Sequence, residues 1–117
     1  MAKPRIKRVY VPPALEDGAR VLVDRVWPRG VSRKAAALAS WSKDVAPSAG
    51  LRKWFGHDPA RWPEFRARYR RELTANPEPV AVLRAMLREG VVTLVYGAHD
   101  EEHNNAVVLA ELLDEDG

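Results

Sequence analysis

Arg20-Val21-Leu22-Val23-Asp24-Arg25-Val26-Trp27-Pro28-Arg29-Gly30 is the stretch on which the fold turns. Its first four residues form a compact β-branched run, the pattern of a central strand covered on both faces. From Asp24 the chain becomes polar, and Pro28 and Gly30 stop the strand. A second run, Val91-Val92-Thr93-Leu94-Val95-Tyr96, is the clearest strand signal, and it too passes into a polar segment, Gly97–Asn104. Ile6–Val11 mixes apolar and basic residues and reads as a third strand, closed by Pro12-Pro13.

Helical patterns separate these runs. Ser32 predicts an N-cap for an Ala-rich helix over 33–39, and Ser48 one for a helix that stops at Gly56 after Leu51, Trp54 and Phe55. Asp58-Pro59 or Pro63 opens the next helix, whose apolar stripe is Trp62, Phe65, Tyr69 and Leu73. Asn76-Pro77-Glu78-Pro79 breaks the chain. Val80, Leu83, Met86 and Leu87 mark a helix ending at Gly90, and a last one over 105–113 buries Ala106, Leu109, Leu112 and Leu113. Strands alternating with helices predict an α/β fold: one domain, with a small, mainly parallel sheet of about three strands flanked by helices.

Composition narrows the function. The chain has 117 residues and no cysteine, which excludes disulfides, thiolate catalysis and Cys-ligated metal sites. No apolar run approaches a membrane span, and no signal-peptide core follows Met1, so the expected location is the cytoplasm, without a membrane partner. The net charge of +3 conceals an asymmetry: residues 1–71 carry 17 Lys/Arg against 6 Asp/Glu, and residues 72–117 carry 2 against 10. Either the basic front meets an anionic ligand or, head to tail, the acidic back of a second copy, or the two halves interleave their charges on folding.

In parallel sheets ligands bind beyond the carboxyl ends of the strands. Asp24–Gly30 and Tyr96–Asn104 should therefore meet at one edge. There Arg25 and Arg29 offer guanidinium forks to an anion, Gly30 allows close backbone approach, and Trp27 and Tyr96 line the space. Asp24 orients an arginine or acts as a base. Asp100 and Asn104 contribute ligand contacts, or instead cap the helix that follows. His57, placed after a helix stop, and His103 are candidates for proton transfer. His99 and His103 are four apart, but without a third firm ligand they do not specify a metal site, and no cofactor is indicated.

Two readings compete with an anionic small-molecule pocket that has hydrolase- or transferase-type chemistry open to it. Arg61, Arg66, Arg68, Arg70 and Arg71 make a basic helix face that, with a sequence pI near 9.5, suits nucleic acid, although no recognition module is visible. A structural or interaction role, with the Trp27 loop as an interface, is the third. The oligomeric state is not legible in the sequence.

The Arg20–Gly30 stretch also resembles the signature of the bacterial family called domain of unknown function 488 (DUF488), in its short YeaO-like branch. Ala46-Pro47-Ser48 with Leu51-Arg52-Lys53-Trp54-Phe55-Gly56-His57-Asp58-Pro59, then Phe65-Arg66-Ala67-Arg68-Tyr69, then Thr93–Asp100 with His103-Asn104, fit the same pattern. The resemblance implies a compact bacterial cytoplasmic α/β domain and names no activity. It matches Asp24, Arg25, Arg29, His57, Tyr96, Asp100, His103 and Asn104. His99 departs from it, which speaks against a metal role for that residue.

Overall fold

A computed structural model describes residues 3–115. The chain runs β1 (Arg5–Arg8), β2 (Ala19–Leu22), α1 (Arg33–Ala36), β3 (Ser40–Trp41), α2 (Ala49–Phe55), α3 (Trp62–Ala75), α4 (Pro77–Glu89), β4 (Val92–Tyr96) and α5 (Asn105–Glu115). The four strands form one sheet, parallel throughout, in the order β1-β4-β2-β3. This is the expected α/β domain with one strand more than the sequence suggested. β3 is two residues long and pairs Ser40 with Val21 and Trp41 with Leu22. A strand that short has no periodicity to read.

β4 is central, and every one of its residues is buried. The period of two in strands splits the apolar run between the two faces. Val21, Val23, Val92, Leu94 and Tyr96 face the main core with Phe55, Phe65, Tyr69, Leu73, Leu83 and Leu109 from α2 to α5. Leu22 and Val95 face a second, thinner layer of Val9 and Ala36, flanked by Trp27, Val31, Leu38 and Trp41. Parallel strands need cover on both sides. Here the second side is closed by a four-residue helix and two tryptophans instead of a full helical layer.

Several boundaries moved for local reasons. α1 stops at Ala36 instead of 39 because Ala37 turns into the left-handed region (φ 49°). The Asn76-Pro77-Glu78-Pro79 break is sharp but short: α3 ends at Ala75 and α4 begins at Pro77, where a proline in the first turn loses no hydrogen bond. In α5 the buried set is Ala106, Val108, Leu109, Ala110 and Leu113, and Leu112 is half-buried at its edge. Gly18 (φ 61°) brings the chain into β2 so close to its neighbour that an added Cβ would lie 2.3 Å from the Val91 carbonyl oxygen.

Candidate functional site

The loops leaving β2 and β4 meet. Asp24 Oδ2 accepts the Gly97 N–H at 2.9 Å, and the Asn105 side chain donates to the Val23 carbonyl at 2.9 Å. Two further contacts fix the junction: Trp41 Nε1 donates to the Asp24 carbonyl (2.7 Å), and Arg8 Nε to the Ala98 carbonyl (2.8 Å). Arg8 ends β1 and Trp41 ends β3, so the carboxyl ends of all four parallel strands contribute.

Within the second loop, Asp100 Oδ1 accepts the N–H groups of Glu102 (2.9 Å) and His103 (3.0 Å). Asn104 then caps α5, its Oδ1 accepting from Val107 N at 3.1 Å and its Nδ2 donating to the Asp100 carbonyl at 2.9 Å. Both residues thus hold the loop in shape, as the capping alternative anticipated.

Beside this junction opens a cavity of about 530 Å³. Asp24, Arg25, Arg52, His57, Asp100 and Asn104 line it together with Asn105 and His99. The apolar wall comes from Phe55 and Phe65, stacked at 4.2 Å between centroids, with Val26, Ala46, Pro47 and Ala98. Ala46-Pro47 is held in place from below. Tyr69 donates its hydroxyl to the Val45 carbonyl, and Glu72 accepts from the Ser48 N–H (2.8 Å) and hydroxyl (2.6 Å).

Burial raises the Asp24 carboxyl above the usual carboxylate range, and Gly97, Asn105, Arg52 and His57 offset only part of that push. His57 sits at φ 57°, in the left-handed region that non-glycine residues enter uncommonly, Asn, Asp and His more often than the rest, directly after Gly56 at φ 51°. Asp100 behaves oppositely to Asp24. The Glu102 N–H and His103 hold its carboxyl below the ordinary value.

Of the residues singled out in the sequence, Asp24, Arg25, His57, Asp100 and Asn104 share the cavity. The others lie elsewhere. Trp27 is on the second face of the sheet, with Nε1 donating to the Val31 carbonyl (2.7 Å) and its ring edge-on to Trp41 at 5.3 Å. Arg29 is exposed, and its carbonyl accepts the Tyr10 hydroxyl at 2.9 Å. Gly30 makes an open turn at φ 77°. Tyr96 is a core residue, 2% exposed. His103 pairs with Asp100 (Nδ1 to Oδ2, 2.8 Å) and packs against Trp62.

Arg52, Asn105 and Arg8 escaped the sequence reading. Arg8 was reachable by applying the strand-end rule to β1, and Arg52 by its place three before the buried Phe55 on one helix face. The two histidines of the second loop part company, since His99 meets Arg8 at 3.4 Å. Among the described residues no group of three or more His, Asp or Glu is placed to hold a metal ion. No helix among them is long and apolar enough to cross a membrane.

The arginine face of α3 is largely spent inside the molecule. Arg66 and Arg70 reach across to Glu111 and Glu115 on α5, each at 2.6 Å. Arg68 pairs with Glu64, and Arg61 with Asp58. The basic front and the acidic back interleave here.

A family model described as the inactive DUF488-N3 subclade matches residues 3–116. The uncharacterised protein Rv3073c of Mycobacterium tuberculosis (strain H37Rv) is 43% identical over 109 residues, covering 93% of this chain and 92% of its own. The uncharacterised protein YeaO of Escherichia coli K12 is 39% identical over 107 residues, covering 92% and 93%. No solved structure matches the chain. Matched almost from end to end by the family model and by these relatives, the chain belongs to the DUF488 family, in the subclade described as inactive DUF488-N3.

Proposed function

We propose that the cavity beside the Asp24–Gly97 junction binds a small anionic molecule with a flat apolar body and a hydrogen-bond donor. The observation that carries this reading is the cavity's composition: two guanidiniums, Arg25 and Arg52, stand with a partly buried carboxylate against a stacked aromatic wall. Guanidiniums take the anion, Phe55 and Phe65 take the body, and Asp24 accepts from the donor. Arg52 replaces Arg29 in the anion-holding role. A cytoplasmic setting belongs to the same reading.

In a catalytic version, Asp24 is the base and His57 carries protons, while His103, outside the cavity, is left to hold Asp100. The description of the subclade as inactive favours binding without turnover. Nucleic acid on the α3 face is not favoured, because four of its five arginines are in ion pairs.

The test is thermal unfolding with inorganic phosphate or phenyl phosphate up to about 10 mM. Phenyl phosphate should raise the midpoint more than phosphate does, and Arg52→Ala should remove the gain. No shift with either compound, or an equal shift in Arg52→Ala, overturns the reading.

A further inference from the structure

Once the ion pairs are assigned, a dense run of positive charge without carboxylate partners lies away from α3. Residues 25–43 carry Arg25, Arg29, Arg33, Lys34 and Lys43 and no Asp or Glu. All five are exposed, and none has a carboxylate partner among the described residues. Arg25 belongs to the cavity. Arg33 and Lys43 instead join the two half-buried tryptophans of the second sheet face in one continuous cation–aromatic cluster. The Arg33 guanidinium lies 4.6 Å from the Trp27 ring and 5.9 Å from Trp41, the two rings meet at 5.3 Å, and Lys43 Nζ is 4.0 Å from Trp41. Lys34 follows Arg33 on α1. Asp44 and Glu78, lining the adjoining groove beside Trp41 and Lys43, bound the patch on that side.

We infer that this face, Trp27–Arg33–Lys34–Trp41–Lys43, is a binding surface for single-stranded nucleic acid. Its chemistry is that of stacking platforms set in positive charge: phosphates go to Lys34 and Lys43, and bases go to the outer face of the ring-backed Arg33 guanidinium and the open rims of the tryptophans. A duplex is a poor fit. Reading a major groove takes a helix or a two-stranded ribbon that projects, and α1 has four residues. The aromatic layer also separates this surface from one that only attracts charge, since an acidic protein or a sulfated polysaccharide gains nothing from stacking.

The experiment is fluorescence anisotropy with a labelled thymidine 20-mer against salt, with the same duplex sequence and heparin as competitors. The single strand should bind with a log–log salt slope of about −1.4 from the two lysine–phosphate contacts, and Arg33→Ala with Lys43→Ala should reduce that slope by about 0.7 and the low-salt affinity about tenfold or more. Arg66→Ala with Arg70→Ala, on the other face, should leave both nearly unchanged. Three results overturn the inference: no binding at low salt, duplex or heparin competing as well as the single strand, or loss of affinity in the α3 pair instead of the patch pair. Circular dichroism of each variant keeps misfolding from being read as lost affinity.

Discussion

The Asp24 carboxylate accepts the Gly97 N–H at 2.9 Å, and this one bond ties together the loops that leave β2 and β4. The bond is short-range, but the residues are 73 apart in sequence, so it closes the carboxyl edge of the sheet. Gly97 permits the approach: a Cβ there would already stand 3.3 Å from Asp24 Oδ2.

Separating the acceptor from the charge gives the first prediction. Because burial raises the folded value of Asp24, its contribution to stability comes from the protonated form: present in full below the unfolded value of 3.8, lost as pH rises through the folded value. At neutral pH the charge is therefore a burden. Asp24→Asn keeps an acceptor for Gly97 and should be as stable as the parent or more so, by at most about 1 kcal/mol given partial exposure. Asp24→Ala loses the bond and should cost about 1 kcal/mol. Chemical denaturation at pH 7 compares them, and equal losses in both would show that the charge itself holds the loops.

Asp17 makes the opposite prediction. It is 1% exposed and bonds Arg20 (2.8 Å), Lys7 (3.1 Å) and the Ala14 N–H (3.0 Å) beneath β1 and β2. Burial pushes its carboxyl up, but these partners outweigh that and hold it below 3.8. Its stability is thus complete above 3.8 and lost as pH falls through the lower folded value. Asp17→Asn leaves Arg20, 3% exposed and already with one bare Nη2, without its counter-charge. The expected loss is about 3 kcal/mol at pH 7, shrinking in acid as the parent loses the same charge. A pH-independent loss would assign it to packing.

The α3–α5 bridges should contribute little although they account for the interleaved charge. Arg66 and Glu111 are 40% and 35% exposed, so a double-mutant cycle on Arg66→Ala and Glu111→Ala should give a coupling of about 0.5 kcal/mol that fades in high salt. A salt-resistant coupling of several times that size would mark the pair as an organiser of the helix interface.

How much of this was legible in the sequence follows from which patterns survive in one dimension. Val92–Tyr96 and Val21-Leu22-Val23 announced themselves because strands buried on both sides are nearly continuous apolar runs, Thr93 being the one small polar interruption. The strand-end rule then brought Asp24 and Asp100 to one cavity, and the helix stop at Gly56 pointed to His57. The same rule misplaced Trp27, because a loop past a strand end has no periodicity to say which sheet face it will cover. Trp27 crosses to the thin face, where Leu22 and Val95 needed a lid. The partners of Arg66 and Arg70 lie 45 residues on, beyond any local pattern.

His57 carries the last prediction. It occupies the left-handed region at the cavity rim, where a side chain costs on the order of 1 kcal/mol, and its ring stands 6.1 Å from Phe55. If the imidazole is there for a ligand, backbone strain and binding should separate. His57→Gly should stabilise the fold by about 0.5–1 kcal/mol and weaken the response to phenyl phosphate. His57→Asn tolerates the same backbone and should weaken that response with little change in stability. A destabilised His57→Gly would instead show that the ring's packing on Phe55 holds the end of α2, and the residue would then be structural. Thermal melts with and without the ester, run on all three proteins, decide between these.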